Sequence, residues 1–567
     1  MCRLHRMTTA ATLLDAQDPD VLRIVALGGI GEIGRNMTVF EFQGRLLIID
    51  CGVMFPESEH PGVDVILPDM RAIQDRVGDI EAIVLTHGHE DHIGAIPFLL
   101  RMRPDISVVG AEFTLALVNA KCAEKGLKPT FIEVAPNQRA EFGPFSCEFI
   151  SVCHSIPDSM AIAIRTPAGT VLHSGDLKLD QLPIDGVTTD LARMAALGAE
   201  GVDLLLIDST NADVPGFVGY ERDISAVLDD QIRRSNGRVI MTSFASNIHR
   251  IQQAVDVSVA NSRKVCFIGR SMVRNVAIAQ ELGHLTLPAN AEVSISEAAA
   301  IPDNTLAIIC TGSQGEPLSA LARMSEGSHK QISITDGDLI VFASSLVPGN
   351  ETAVYRVVNN LIHKGANVIT QNDCAIHVSG HANAGELLFL YNLIKPRNVV
   401  PVHGEWRHLA ANSRLAQSTG VPERNVLVVR NGVVFELCDG EIEIVGDIPV
   451  GMVYVDGSVV GDIDDTTISH RRILGDDGFI LAIATVDVNL RRPVGKPVLT
   501  ARGFSADPTV LENVAVDVEI AIKQALESAD VTPEQLVRVM RKVIGAWVSK
   551  RYRRRPMIVP TVVEVDA

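Results

Sequence analysis

The sequence predicts an α/β protein of about three domains. At 567 residues the chain is too long for a single hydrophobic core. Short apolar strands, turn residues and amphipathic helical stretches alternate along most of its length. No run of about 18 apolar residues occurs, so we expect no membrane-spanning segment. Together these observations predict stacked layers of sheet and helix.

The first domain begins after an N-terminal segment of different character. Residues 1–20 contain basic side chains but no continuous apolar core, so we expect a disordered segment and not a signal peptide. Residues 21–220 then contain short strands, among them VLRIVALGG, MTVFEF, RLLIID and VDLLLID. A helix near 92–102 and others lie between them. This mixture predicts the first part of a layered α/β domain.

The order of predicted elements changes at about residue 221, where helix and strand begin to alternate. Helical stretches such as ERDISAVLDDQIRRS alternate with the strands GRVIMTSF, KVCFIG, NTLAIICTG and DLIVFASS. Each strand ends in a loop rich in Ser, Gly or Asn. This pattern is typical of a parallel sheet whose strand-end loops are available to ligands, and it predicts a second α/β domain over 221–375.

The rest of the chain completes the first domain and adds a third. Residues 376–450 contain histidines that make chemical sense if this segment folds back onto the first domain. A stretch rich in Gly and Asp, 451–469, is expected to be a linker. Residues 470–567 contain two strands, two helices (509–527 and 533–551) and a last strand, which predicts a small α+β domain.

Composition limits the function classes. The formal net charge of −19 argues mildly against a polyanionic substrate, but a local basic patch or bound metal can outweigh it. The basic run at 550–555 is either such a patch or a solvated helix end. The aromatic content of 4% disfavours a site built on many stacking platforms. The nine cysteines include no CxxC pair, which indicates reduced thiols and a cytoplasmic protein.

The clearest chemical pattern is THGHEDH, which directly follows an apolar strand. His87, His89, Asp91 and His92 place four potential metal ligands within six residues. Imidazole and carboxylate groups at this density suit two divalent ions, above all Zn²⁺. A His-rich surface loop without a role is the alternative, but further ligand-type residues recur downstream.

Three of these downstream residues close predicted strands or follow them. They are His154 in SVCHSIP, Asp176 in LHSGDLK and His403 in VPVHGEW. A single histidine at such a position is usually structural, but the repeated coincidence favours a shared metal centre. Two ions about 3.5–4 Å apart can lower the pKa of a water molecule and stabilise the oxygens of an in-line displacement.

The pattern HxHxDH, followed by separate His, Asp and His residues, resembles the metallo-β-lactamase superfamily. That resemblance implies an αββα sandwich with a two-zinc site suited to phosphodiester hydrolysis. It also implies the division of the ligands. By similarity, one zinc would be bound by His87, His89 and His154, the other by Asp91, His92 and His403, with Asp176 bridging them.

The second domain narrows the resemblance. Asp208 in LLLIDST, His381 in HVSGHA and His403 in PVHGEW resemble the three motifs of the β-CASP nucleases, in which an α/β domain is inserted into the sandwich. Members acting on RNA typically carry His at the third motif, where DNA-repair relatives carry Val. The chain is therefore similar to the bacterial β-CASP ribonucleases. The similarity covers about 20–567 and includes LGGIGEIGRNM, THGHEDHIGAIP, FASNIHR, TGSQGEP and HVSGHANAGEL.

This resemblance implies a zinc-dependent 5′→3′ exoribonuclease with endonuclease activity in RNA maturation and decay. In it, Asp208 would orient ligands or relay protons, and His381 would stabilise charge on the phosphoryl group beside Asp176. Mn²⁺ or Mg²⁺ could serve as the working or an additional ion. The resemblance also implies a dimer or tetramer supported by the C-terminal domain, and possible partners in RNA degradation.

The loop His377-Val378-Ser379-Gly380-His381 offers backbone N–H groups, a hydroxyl and two imidazoles ahead of a helix. By the same resemblance it would cradle a nucleotide phosphate near the RNA 5′ end. Ser246 and Asn247, in FASNIHR, could also contact phosphates. Ordinary turn chemistry explains those two residues equally well.

Other interpretations remain open or fail on their context. GIGEIG at 29–34 fits a dinucleotide-binding fingerprint, but a strand follows it, so a tight turn beside the metal site is preferred. A hydrolase of small esters or thioesters could share the metal loop, although it leaves the inserted domain unexplained. A catalytically silent scaffold for RNA-processing partners is a third hypothesis. Metal content would test the scaffold, and activity on RNA against a generic ester would test the hydrolase.

Overall fold

The computed structural model describes residues 20–57, 59–347, 349–487, 489–505, 507, 509–528 and 531–565. The expectation for residues 1–20 therefore lies, except for residue 20, outside the described residues. The chain divides into two compact units. The larger contains Val65–Met452 and the described residues up to Phe55, and the smaller contains Pro56–Asp64 and the chain from Val453 onward.

The segment up to residue 220 contains the first thirteen strands of the described chain. These are β1 (Leu22–Gly28), β2 (Ile30–Gly31), β3 (Met37–Phe42), β4 (Arg45–Ile49), β5 (Val65–Leu67), β6 (Ile80–Val84), β7 (Ser107–Gly110), β8 (Thr130–Glu133), β9 (Arg139–Phe142), β10 (Phe145–Ser151), β11 (Met160–Thr166), β12 (Gly169–His173) and β13 (Leu204–Asp208). Its helices are α1 (Glu90–Ile93), α2 (Ile96–Met102), α3 (Glu112–Glu124) and α4 (Leu191–Glu200), with a 3-10 helix at Met70–Asp79.

Helix and strand then alternate, as the sequence predicted. The strands are β14 (Val239–Thr242), β15 (Lys264–Ile268), β16 (Leu306–Cys310), β17 (Leu339–Phe342) and β18 (Asn367–Ile369). The helices are α5 (Asp223–Arg234), α6 (Ile248–Ala260), α7 (Arg270–Glu281), α8 (Ile295–Ala298), α9 (Ala320–Glu326) and α10 (Glu351–His363), with a 3-10 helix at Asp303–Thr305. All strands pair in parallel, in the order β15-β16-β14-β17-β18. The predicted parallel sheet is confirmed.

The following segment returns to the first domain. It contains α11 (Ala384–Ile394), β19 (Asn398–Val402), β20 (Gly404–Glu405), α12 (Trp406–Ser418), a 3-10 helix at Glu423–Asn425, β21 (Val433–Cys438) and β22 (Glu441–Asp447). Strand β19 pairs with β13 and strand β21 pairs with β1, so the segment folds back as expected.

Two sheets form the centre of this domain. Their strand orders are β22-β21-β1-β3-β4-β6-β7-β8 and β19-β13-β12-β11-β10-β9. Buried side chains from both sheets, such as Phe40 and Phe149, share one core. The other face of the second sheet packs against α4, α11 and α12 through residues such as Leu197 and Leu390. The predicted αββα sandwich with an inserted α/β domain is confirmed.

The smaller unit contains β23 (Val453–Asp456), β24 (Val459–Val460), α13 (Asp465–Asp476), β25 (Phe479–Asp487), β26 (Arg492–Pro493), β27 (Val498–Arg502), α14 (Glu512–Ala525), α15 (Pro533–Tyr552) and β28 (Met557–Val565). The stretch 451–469, expected to be a linker, therefore carries a short hairpin and the start of a helix. Strand β25 pairs with β26 and β27 on one side and with β28 on the other. Helices α14 and α15 cover one face of this sheet.

In the described part of the chain, no helix has the length and apolar character needed to cross a membrane. The cysteines described by the structure are free thiols.

Candidate metal centre

The sheet topology explains why distant sequence motifs meet. Strands β12, β13 and β19 are parallel neighbours, so their carboxyl ends lie along one edge. Asp208 is the last residue of β13, and Asp176 and His403 follow the ends of β12 and β19. The motif THGHEDH follows β6 of the facing sheet, and α1 begins within it at Glu90. One edge of the sandwich therefore collects the predicted ligands from segments far apart in the chain.

The potential ligand atoms form compact groups. Within each group they lie within 4.8 Å of one another. One group contains His87, His89, His154 and Asp176, and a second contains Asp91, His92, Asp176 and His403. These are the two sets that the superfamily resemblance implied.

Asp176 occupies the shared position between the groups. Its Oδ2 lies 3.7 Å from His87 Nε2 and 3.8 Å from His154 Nε2 in the first group. In the second it lies 3.2 Å from His92 Nε2 and 3.8 Å from His403 Nε2. One buried carboxylate oxygen thus reaches both groups, which is the geometry required of a bridging ligand.

Four of the histidines are held through the ring nitrogen that points away from the cluster. His87 Nδ1 lies 3.0 Å from Thr86 Oγ1, and His92 Nδ1 lies 2.7 Å from Asp50 Oδ2. His154 Nδ1 and the carbonyl oxygen of Gly380 are 2.7 Å apart, as are His403 Nδ1 and Thr210 Oγ1. Such contacts fix the ring orientation and leave Nε2 for a metal.

His89 is turned the other way. Its Nδ1 lies 3.1 Å from His87 Nε2 and 3.2 Å from His154 Nε2, so Nδ1 is its ligand-side nitrogen. Its Nε2 lies 3.5 Å from Ser155 Oγ. The three imidazoles therefore direct one nitrogen each toward a common point.

Burial keeps the imidazoles of the first group neutral. It lowers the pKa of His87 and of His154 well below the ordinary value, and it lowers the pKa of His89 to about 4. Nearby imidazoles reinforce the effect, because a second positive charge in this space is unfavourable. Neutral imidazole is the form that binds a metal.

The carboxylates dominate the second group. Burial alone would lower the pKa of His92 and His403, but Asp176 and neighbouring carboxylates raise it, to about 10 for His403. Burial alone would raise the pKa of Asp91 and Asp176, but the histidines lower both well below the usual range. Buried negative charge here requires a positive counter-charge. A divalent cation meets that requirement, so these residues fit the metal that the motif predicts.

Asp208 and His381 form a pair beside the cluster. Asp208 Oδ2 lies 2.7 Å from His381 Nδ1, and the amide N–H of Asp208 donates to Ser174 Oγ at 3.0 Å. Burial opposes the charged form of His381, but Asp208 raises its pKa above the ordinary value. Asp208 therefore favours the cationic form of the imidazole and orients the ring.

The loop at 377–381 adjoins the same cluster. Gly380 packs so closely against His154 that an added Cβ would lie 2.7 Å from its ring carbon Cε1. Arg250, fully buried on α6, donates hydrogen bonds to the carbonyl oxygen of Ile376 and to Glu221. His377 Nδ1 is buried and has no hydrogen-bond partner in the described part of the chain. Burial is the main cause that lowers the pKa of His377 to about 3, and the positive charge of Arg250 is the next.

The remaining predicted contacts lie elsewhere. Asn247 directly precedes α6, and its side-chain oxygen accepts the amide N–H of Arg250 at 3.0 Å, so that oxygen serves as a helix cap. Within the described residues, neither Asn247 nor Ser246 forms a hydrogen bond with any of the potential metal ligands. The basic run at 550–555 ends α15 in the smaller unit. Its role as a nucleic-acid contact stays a prediction.

The Gly-rich segment forms the expected tight turn. Gly29 and Gly31 have φ values of +89° and +79°, and the carbonyl oxygen of Gly29 accepts the amide N–H of His403 at 2.8 Å. Strand β2 also pairs with β20, directly after His403. The segment thus braces the third motif, and it is followed by strand β3 and not by the helix that a dinucleotide-binding turn requires.

Sequence reasoning missed the residues that hold the ligands. Asp50 follows β4, and Thr210 and Asn211 follow Asp208, but none was assigned a role. Asp50 did carry a signal, because it closes an apolar strand as Asp208 does. Thr210 and Asn211 carried none, since only the fold brings them to His403 and Ser379.

Family models match most of the chain. "Metallo-beta-lactamase superfamily" matches 30–195, and "Ribonuclease J, beta-CASP domain" matches 236–361. "Zn-dependent metallo-hydrolase RNA specificity domain" matches 369–428, and "Ribonuclease J C-terminal domain" matches 466–565. The matches follow the order of segments inferred from the sequence.

Whole-chain comparisons agree with these models. The chain is 54% identical to ribonuclease J of Mycolicibacterium smegmatis, over 96% of this chain and 98% of the relative. It is also 54% identical to ribonuclease J of Mycobacterium tuberculosis, over 96% and 97% of the two chains. A solved protein of unknown function from Enterococcus faecalis shares the fold, with a TM-score of 0.53, 16% identity and coverage of 74% of this chain and 100% of its own.

Proposed function

The chain belongs to the ribonuclease J family and is a metal-dependent ribonuclease, and from this premise we propose that it degrades RNA from a 5′-monophosphate end and also cleaves internally. The observation that carries the proposal is the 2.7 Å contact between the carbonyl oxygen of Gly380 and His154 Nδ1. This hydrogen bond links the 377–381 loop, which is the candidate phosphate site, to His154, a candidate metal ligand. A 5′ end bound at this loop would then lie at a set distance from the reacting bond.

We infer that the cluster holds two Zn²⁺ ions. His87, His89 and His154 would bind one, and Asp91, His92 and His403 the other, with Asp176 between them. Bound there, the ions would supply an activated water and stabilise charge on the entering and leaving oxygens. Mn²⁺ or Mg²⁺ could replace or supplement Zn²⁺, so restoration of chelated protein should be measured for each ion.

The pair of Asp208 and His381 would act on the phosphoryl group. Asp208 holds the proton at His381 Nδ1 and orients the ring. The N–H at Nε2 can then donate to a phosphoryl oxygen as negative charge develops on it. Removing such a donor typically slows a reaction by about 10²–10³-fold. His381→Ala should therefore slow exonucleolytic and internal cleavage alike.

The test compares RNA with a 5′-monophosphate, RNA with a 5′-triphosphate, and circular RNA. Wild-type protein should favour the monophosphate, because a closed phosphate site rejects added bulk and charge. Ser379→Ala should lower the monophosphate rate by about 10–100-fold and affect circular RNA less. Equal losses on linear and circular RNA would contradict the role of this loop. Equal wild-type rates on 5′-monophosphate and 5′-triphosphate RNA would contradict 5′-end discrimination itself.

His89→Ala tests the metal assignment independently of the RNA end. The variant should lose at least one metal equivalent by elemental analysis, together with activity, while the chain remains folded. An active variant with its full metal content would overturn the assignment. The scaffold hypothesis instead predicts that the wild-type protein lacks bound metal and does not hydrolyse RNA.

We further propose that the smaller unit supports a dimer or tetramer. Helices α14 and α15 cover one face of its sheet. The other face is apolar and open, with Val498 63%, Val559 40% and Val563 43% exposed. These valines pair with Ile483, Leu481 and Thr485 of β25, so all lie on one face. An open apolar face of this kind suits a second copy of the chain.

A further inference from the structure

Asn211 lies three residues after the end of β13 and faces the 379–383 segment. Its Nδ2 donates to Ser379 Oγ at 2.8 Å, to the carbonyl oxygen of His381 at 3.2 Å and to Asn383 Oδ1 at 3.2 Å. A backbone carbonyl can only accept a hydrogen bond, so this contact fixes which end of the Asn211 amide faces the loop. Asn211 is therefore a donor to Ser379.

The Ser379 oxygen accepts a second hydrogen bond. The amide N–H of His381 donates to Ser379 Oγ at 3.1 Å. A hydroxyl oxygen has two lone pairs and one proton, so both acceptor positions are now used. The proton must point away from Asn211 and from the His381 amide. In the part of the chain that the structure describes, it meets no acceptor.

This oriented proton is close to the reacting centre. The residue after Ser379 bonds to His154, and the residue after that is His381, which pairs with Asp208. A phosphate monoester presents oxygens that accept hydrogen bonds, and it favours donors whose protons are already in place. Without Asn211, the hydroxyl could rotate and offer a lone pair to the phosphate instead.

We propose that Asn211 is a positioning residue that turns the Ser379 hydroxyl into a fixed donor for the 5′-terminal phosphate of the RNA. The inference rests on the proposed 5′-end reading by the 377–381 loop. Asparagine is required here because aspartate would accept the Ser379 proton. That change would turn the donor away from the phosphate and place a second negative charge beside it.

The experiment is a double-mutant cycle with Asn211→Asp and Ser379→Ala. The quantity measured is the ratio of the cleavage rate on 5′-monophosphate linear RNA to the rate on circular RNA. Each single variant should lower this ratio by about 10–100-fold, the effect of one hydrogen bond to a charged group. The double variant should lower the ratio by less than the product of the two single effects, because Asn211 acts through that hydroxyl and only the added charge acts without it.

Asn392→Asp is the matched control. Asn392 is an exposed residue of α11 whose amide donates within its own helix, so the same change of charge there should leave the ratio unaltered. If Asn211→Asp lacks activity on circular RNA or loses metal, Asn211→Ala replaces it in the cycle. That variant frees the hydroxyl without adding charge. It should lower the ratio in the wild-type background and not in Ser379→Ala.

Two outcomes would overturn the inference. One is an unchanged ratio in both Asn211 variants while Ser379→Ala lowers it. The other is an additive effect, in which an Asn211 substitution lowers the ratio equally with and without Ser379. An unchanged ratio in Ser379→Ala itself would instead overturn the proposed 5′-end reading, and the inference with it.

Discussion

At the scale of single residues, the site depends on side chains that bind no metal themselves. Asp50 shows this most clearly. Its carboxylate contacts His92 Nδ1 at 2.7 Å, and it accepts the Thr86 amide N–H and hydroxyl at 2.8 Å each. The buried Asp50 carboxylate thus holds both ends of the metal loop, which is the THGHEDH segment at 86–92. It also makes the His92 imidazole a more basic ligand.

Asp50→Asn should therefore weaken metal binding without altering any ligand. Loss of such an outer carboxylate typically lowers metal affinity by about 10–100-fold. The measurement is the metal retained against a graded chelator. Asp105→Asn, an exposed carboxylate paired with Arg103, is the control and should retain metal as wild type does. Wild-type retention in Asp50→Asn would show that His92 needs no such support.

His284 of the inserted domain and Asp158 of the sandwich form a pH-dependent contact. His284 Nε2 lies 3.3 Å from Asp158 Oδ2, and this hydrogen bond raises the pKa of His284 above the ordinary value. A group whose pKa is raised on folding stabilises the fold fully below its unfolded value, about 6.5. That contribution is lost as the pH rises through the raised pKa.

His284→Gln should consequently destabilise the protein more at about pH 5.5 than at about pH 9. The difference should stay below ~1 kcal/mol, because both side chains are partly exposed. Thermal midpoints of wild type and variant at the two pH values measure it. A gap between the two proteins that is the same at both pH values, or larger at the higher one, would contradict the ion pair.

At the scale of elements, the metal loop is held by the chain that leaves β4. The amide N–H of Cys51 donates to the carbonyl oxygen of His92 at 2.7 Å, and that of Val53 donates to Glu90 at 3.0 Å. Between them lies Gly52. A Cβ at Gly52 would stand 1.6 Å from the carbonyl oxygen of Asp91, so no side chain fits without moving the backbone.

Gly52→Ala should displace the metal loop. Forcing an extra carbon into such a contact costs about 1–3 kcal/mol, and we expect lower metal content together with lower stability. Gly78→Ala is the control, since a Cβ there meets no atom within 4 Å. Elemental analysis and denaturant unfolding measure the two effects. Normal metal content in Gly52→Ala would mean that the loop tolerates the shift.

Element boundaries also show how far patterns in the sequence reach. MTVFEF forms β3 at Met37–Phe42, and the last helix, expected over 533–551, spans Pro533–Tyr552. Long apolar or amphipathic runs specify such elements because burial of the apolar side chains along the run stabilises the whole element. The short pair β2 and β20 escaped prediction, because two residues carry no periodicity and form a strand only through their partner.

At the scale of the whole molecule, the smaller unit permits a direct test of assembly. Val559 and Val563 lie on the open face of its sheet, whereas the core beneath α14 and α15 uses the opposite face. Val559→Ser combined with Val563→Ser should therefore leave the unit folded and shift the protein toward monomer. Light scattering measures the mass, and circular dichroism confirms folding. An unchanged mass would show that this face does not join subunits.

The sequence by itself determined the chemistry and the order of the parts. The metal motif, the strand-end residues Asp176 and Asp208, and the resemblance of the inserted domain followed from local patterns. These features are readable because a ligand must be a particular residue type and a strand must be apolar along its length. The parallel sheet of the inserted domain follows from the same patterns, and the two-sheet sandwich follows from the superfamily resemblance.

Only the tertiary structure decided which groups orient those ligands. Asp50, Thr210 and Asn211 are ordinary polar residues in the sequence, and each gains its role from a partner far along the chain. Asn211 meets Ser379 across 168 positions, and Thr210 meets His403 across 193. Such pairs cannot be predicted from local sequence, because the hydrogen bonds form only after β13 and β19 align at one edge of the sheet.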